Sequence, residues 1–92
     1  MNKVAVVITY SFANHASVVL LDSWDKAVEY IRKSVEDEYR IDTIENGWEA
    51  TTEYTISNDG EYAELVNHLS DGDHVTTWRI GDIYDAGWLE RG

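Results

Sequence analysis

Hydrophobic positions along the chain follow two different rhythms. Val4-Ala5-Val6-Val7-Ile8-Thr9-Tyr10 is an almost unbroken run of β-branched and apolar residues, the pattern of a central strand buried on both faces. Ser11 to Asn14 reads as a turn, and Ala16-Ser17-Val18-Val19-Leu20-Leu21 as the hairpin partner. The period then changes. Trp24, Ala27, Val28, Ile31 and Val35 recur at i, i+3, i+4, i+7 and i+11, one apolar stripe along a helix whose core-facing side includes Trp24. Asp22 or Ser23 stands at the N-cap, and Asp25 places a carboxylate in the first turn, at the positive end of the helix dipole. Glu29 with Lys33, and Glu36 with Arg40, make i,i+4 pairs on the wet face. The helix is expected to end near Tyr39.

Residues 41–49 read as a connector closing on the turn signal Asn46-Gly47. Thr51 to Ser57 is rich in Thr, Tyr and Ile and predicts a strand. Asn58-Asp59-Gly60 is a hairpin turn, because glycine supplies the positive φ that such turns need. Glu61 to Leu69 is the return strand, with Ala63 and Leu65 on one face and Tyr62, Glu64 and Val66 on the other. Ser70-Asp71-Gly72-Asp73 turns the chain again into a last strand, from His74 to Ile80 or Ile83. In the tail from Asp82 to Gly92, Trp88 is the residue expected to dock. The order ββαβββ predicts an α+β fold of two layers, an antiparallel sheet with one long helix on one face. No linker or repeat divides residues 1–92, so a single domain is expected.

Composition narrows the chemistry. Of 92 residues, 43% are hydrophobic, enough for a packed core rather than a disordered acidic tail. There is no cysteine, which removes disulfides, thiolate zinc sites and cysteine nucleophiles. The apolar run Val4 to Ile8 is too short for a signal peptide, and no stretch reaches membrane-spanning length. The expectation is a cytoplasmic protein that does not engage a membrane.

Charge changes the picture most. The formal net charge is −11. Twelve acids (Glu36, Asp37, Glu38, Asp42, Glu45, Glu49, Glu53, Asp59, Glu61, Glu64, Asp71 and Asp73) face only Arg40 between positions 36 and 73. The remainder of the chain is neutral. This exceeds the magnitude of ~2–8 that keeps a small domain soluble, and it costs stability through self-repulsion. Spread over a domain ~30 Å across, the excess approaches the density of a DNA strand, with one phosphate per ~3.4 Å. Such a surface suits a basic groove and repels nucleic acid itself, since phosphate binding needs clustered Lys and Arg. Trp48, flanked by Gly47 and Glu49, combines an aromatic anchor with an acidic rim, while Trp78 reads as core.

Two other chemistries carry weaker signals. Asp71-Gly72-Asp73-His74 and Asn58-Asp59-Gly60-Glu61 place oxygen ligands on turns, but neither has the EF-hand spacing, and turn propensity accounts for both. His15, His68 and His74 form no H-E-x-x-H pattern, and no G-x-S-x-G elbow is present. No metal, cofactor or catalytic residue is assigned, and the chain is not read as an enzyme.

Small size, strong acidity, absence of cysteine and a hairpin-and-helix plan together resemble the small inhibitors of host defence nucleases carried by phages and mobile elements, the anti-CRISPR proteins among them. The resemblance is one of type and covers the whole chain without a shared motif. It implies a non-enzymatic, stoichiometric inhibitor or DNA mimic that occupies the nucleic-acid-binding cleft of a CRISPR effector, with carboxylates standing in for phosphates. The residues assigned to partner binding on this reading are Glu36, Asp37, Glu38, Asp42, Glu45, Trp48, Glu49, Glu61, Glu64, Asp71 and Asp73. The alternative is a homodimeric interaction module whose acidity serves solubility alone. It would bury Tyr54, Tyr62 or Trp88 at an exposed sheet face or edge.

Overall fold

Val4–Tyr10 (β1) lies in the interior of a five-stranded sheet, paired antiparallel on one side with Ala16–Leu21 (β2) and on the other with Gly72–Gly81 (β5). The computed structural model describes residues 3–14, 16–47 and 51–81. Tyr62–Leu69 (β4) pairs with β5, and Thr52–Ile56 (β3) with β4, giving the order β2-β1-β5-β4-β3, antiparallel throughout. The expected two-layer α+β fold is the observed one. Strand bounds differ from the sequence reading by a residue or two, and β5 begins earlier, at Gly72, because the turn before it is tight.

The helix Trp24–Arg40 (α1) links β2 to the far edge strand β3 and lies across one face of the sheet. Ser23 caps it: the residue is extended (φ −152°) and its hydroxyl accepts a hydrogen bond from the Lys26 amide at 3.1 Å. Ala27, Ile31 and Val35 are fully buried against Val6, Ile8, Ala63, Leu65, Trp78 and Ile80. Each large apolar side chain withdrawn in this way is worth about 1.5–3 kcal/mol. Ala5 and Val7, on the other face of β1, are also buried, so the strand is covered on both sides as its composition requires. Tyr54 points to the helix side, its ring 4.9 Å from that of Tyr39. It is therefore a packing residue, not the exposed dimer contact considered from sequence.

Three local expectations are corrected. Trp24 is not on the buried stripe: it is 48% exposed, and its indole N–H donates to Glu61 Oε2 at 2.8 Å. It is the first residue after the cap, and this hydrogen bond ties it to the β3–β4 hairpin. Glu36 pairs with Arg32 at 3.6 Å, and Arg40 turns instead to Asp37 at 3.4 Å, whereas the Glu29–Lys33 pair forms as expected at 2.7 Å. The helix also does not stop at Tyr39. It continues through Arg40 into a π-helical turn, Ile41–Glu45, in which the Asn46 amide donates to the Ile41 carbonyl at 3.1 Å and the Thr43 hydroxyl to the Tyr39 carbonyl at 2.8 Å. Among the described residues, no helix is long and apolar enough to cross a membrane.

The β3–β4 hairpin is held against α1 at one close approach. Gly60 has φ +75°, and a Cβ there would lie 2.7 Å from Val28 Cγ1. Gly47 has nearly the same φ, +73°, with nothing within 4 Å of that position. Gly60→Ala should therefore lower unfolding stability by about 1–3 kcal/mol through combined backbone strain and overlap. Gly47→Ala should lose only the backbone part, and urea denaturation of the two variants checks the order.

Candidate functional site

A buried carboxylate organises the acidic end of the molecule. Asp42, in the π-helical turn, is only 5% exposed. Its Oδ2 accepts from Asn67 Nδ2 at 3.1 Å and its Oδ1 from Asn46 Nδ2 at 3.2 Å, while Asn67 Oδ1 accepts from the buried Thr52 hydroxyl at 2.8 Å. These bonds tie the end of the helical segment to β4 and β3. Every buried side-chain donor and acceptor among the described residues has a partner, as a buried polar group demands. Asp42 was assigned to partner binding from sequence; its carboxylate is instead enclosed and committed to two amides.

Because Asp42 sits on Asn67, and Asn67 pairs across the ladder with His74, the end of the helical segment and the β4–β5 turn lie at the same end of the sheet. Asp37, Glu38 and Glu45 come from the helical segment, and Asp71 and Asp73 from the β4–β5 hairpin, Asp71 in its turn and Asp73 at the start of β5. Glu53 of β3 joins them, since His68 lies 3.7 Å from its Oε1 and 2.9 Å from Asp73 Oδ1. His74 Nε2 is 3.5 Å from Asp71. The Asp73 carboxylate, through its hydrogen bond and then its charge, with help from Glu53, raises the His68 pKa above its ordinary 6.5.

Glu38 stands under the opposite stress. Burial first, and then the charge of Asp42 four residues on, hold its pKa above the ordinary 4.5. Like charges at i and i+4 on a helix repel, and acids near a helix C-terminus oppose the dipole. The arrangement favours neither local stability nor helix formation.

The remaining assigned residues do not converge there. Glu36 belongs to the last turns of α1 but is engaged by Arg32. Glu64 is on the helix-free face, accepting from the Tyr62 hydroxyl at 3.0 Å. Glu61 is at the opposite end, holding Trp24. Asp59 stays there too, its pKa lowered by the Ser57 hydroxyl and the Glu61 amide that it accepts from. Trp48, Glu49 and Trp88 lie outside the described residues, as does the expected docking of the tail.

Sequence reasoning missed two apolar side chains. Ile44 is 73% exposed in the π-helical turn between Asp42 and Glu45. Phe12 is also exposed, its ring 5.0 Å from that of His74. The signal for Ile44 was helical phase: twenty residues after Trp24, at 3.6 per turn, it falls opposite the stripe. No known protein family, curated protein or solved structure matches the chain. Among the described residues, no three potential ligands converge on a metal position.

The raised Glu38 pKa gives a signed prediction. The penalty for ionising Glu38 in the folded state is present at neutral pH and disappears as pH falls through its folded value. Glu38→Gln should therefore gain about 0.5 kcal/mol of stability at pH 7, the scale of one like-charge i,i+4 pair. The gain should shrink as pH falls toward the ordinary 4.5 and be gone well below it, and denaturation at pH 7 and at about pH 3.5 reads it.

Proposed function

We propose that this chain is a non-enzymatic acidic binding protein, an inhibitor that mimics nucleic acid and occupies a basic nucleic-acid-binding surface of a partner such as a CRISPR effector nuclease. The observation that carries the reading is the gathering of Asp37, Glu38, Glu45, Glu53, Asp71 and Asp73 from three separate elements at one end of the domain. Ile44 in the π-helical turn and Phe12, whose ring lies 5.0 Å from that of His74, are exposed at that end. A rim of carboxylates around apolar anchors matches what a basic groove offers: Arg and Lys at the edge, with aliphatic and aromatic surface between. Charge of one sign speeds encounter with such a groove, and the few carboxylate–arginine pairs that become desolvated set the lifetime of the complex.

The second reading, a homodimer, is favoured by a different feature. β2 is an edge strand, and Val18 and Leu20 on its helix-free face are exposed, with Tyr62 exposed on the same face of β4. Free strand edges of this composition pair with copies of themselves. Light scattering decides it: a monomer mass at working concentration removes the dimer.

The test of the leading reading is capture of a nucleic-acid-binding protein on the tagged domain, with release by rising salt and by competing duplex DNA. Reversal of Glu36, Asp37 and Glu38 to Lys should weaken that complex by about a hundredfold, two charge-assisted pairs' worth, without unfolding the domain. Reversal of Glu61 and Glu64, away from the acidic end, should cost far less. Equal losses from the two sets, or a complex that resists both salt and DNA, would sink the mimic.

A further inference from the structure

A cleft opens between the C-terminal half of α1 and strands β1 and β5. Its volume is about 290 Å³, at the lower limit of pockets for drug-sized ligands, ~300–1,000 Å³, and therefore suited to one side chain. Three aromatic residues line it, Tyr10, Tyr30 and Trp78, together with Ser34, Asp37 and Glu38 from the helix. Trp78 is a rigid wall, 4% exposed and packed in the core.

We propose that this cleft binds the guanidinium of an arginine side chain presented by the partner. The proposal rests on the reading of that partner as basic, and names where one of its arginines is held. Aromatic faces attract a cation through their negative quadrupole. A guanidinium is flat, weakly hydrated and forked, so it stacks on a ring while donating to two carboxylates at once; an ammonium does not combine these contacts. Asp37 and Glu38 are adjacent on the wall and supply the two acceptors. Among the described residues, Asp37 is paired with Arg40 at 3.4 Å. A bound guanidinium also relieves the repulsion between Glu38 and Asp42, so the free protein's local instability becomes affinity for a cation.

The cleft can be tested without the partner. The isotope-labelled full chain is titrated with N-acetyl-arginine amide, and the Trp78 indole N–H and the amides of Ser34, Asp37 and Glu38 are followed by NMR. The expected result is saturable shifts confined to those groups, with Kd on the order of millimolar, the range open to a single side chain. N-acetyl-citrulline amide, of the same shape but neutral, should bind at least tenfold more weakly, as should the lysine analogue. Asp37→Asn combined with Glu38→Gln should lose binding. Ser34→Leu, which fills the cleft and leaves both carboxylates in place, should lose it too. Absence of saturable shifts, equal binding of citrulline or lysine amide, or unchanged binding by the Ser34→Leu protein would each overturn the proposal. Failure here, with a DNA-displaceable complex still formed, removes the cleft and leaves the mimic. Saturable arginine binding without any nucleic-acid-binding partner removes the mimic and leaves the cleft.

Discussion

The hydrogen bonds from Asn67 and Asn46 to the buried Asp42 carboxylate fix where the helical segment ends, and the distribution of charge follows from that. A buried carboxylate is costly unless its oxygens accept hydrogen bonds from donors. Here the donors are two amides, one of them oriented in turn by the Thr52 hydroxyl. Such a network specifies one docking: sliding the helix along the sheet would part the acid from Asn67 and leave one of its oxygens without a donor. The apolar stripe of Ala27, Ile31 and Val35 is non-directional and tolerates small shifts; the polar network does not. The register of the two layers is thus set at one end, and the acids near it in sequence and in space are carried into a single region.

That region is built against the preferences of a helix. The macrodipole favours cations in the last turn, yet Asp37 and Glu38 occupy it with Arg40 alone nearby. Glu38 carries the consequence in a pKa raised by burial and by Asp42. A sequence selected for stability alone would remove this strain with one amide. An opposite charge arriving from outside would relieve this strain, which is the sense in which it fits the proposed binding role.

How much of this was legible depended on whether the relevant rule was local. The strands Val4–Tyr10 and Ala16–Leu21, an N-cap at Asp22 or Ser23 (the structure takes Ser23), the Gly60 turn and the α+β order all follow from short-range pattern, and all are found. Asp42 was misplaced because polarity was given precedence over phase. It stands seven residues after Val35, on the same side of the helix as Val35 and Ile31, and that periodicity placed it in the interior. The connector reading of residues 41–49 hid this, since a helix that ends at Tyr39 has no phase at Asp42. Trp24 failed in the opposite direction. Its phase is correct, but its indole is taken up by Glu61 of the β3–β4 hairpin, and that pairing is a tertiary property. The acidic stretch was legible as a run and illegible as a surface: β-sheet order sends Glu61 and Asp59 to one end and Asp71 and Asp73 to the other.

The separation of the run into two ends bears on mimicry. A duplex presents phosphates along a line, and a uniformly acidic sphere would attract every basic protein with little discrimination. Here carboxylates gather at the end that also exposes Ile44 and Phe12, whereas at the other Asp22 is paired with Lys3 and Lys26 and Glu61 is engaged by Trp24. The field is therefore oriented as well as strong. On the proposed reading, such a field would turn the domain during encounter with a basic groove. Charge would then supply the approach and the orientation, and the exposed Ile44 and Phe12 a contact that salt does not dissolve.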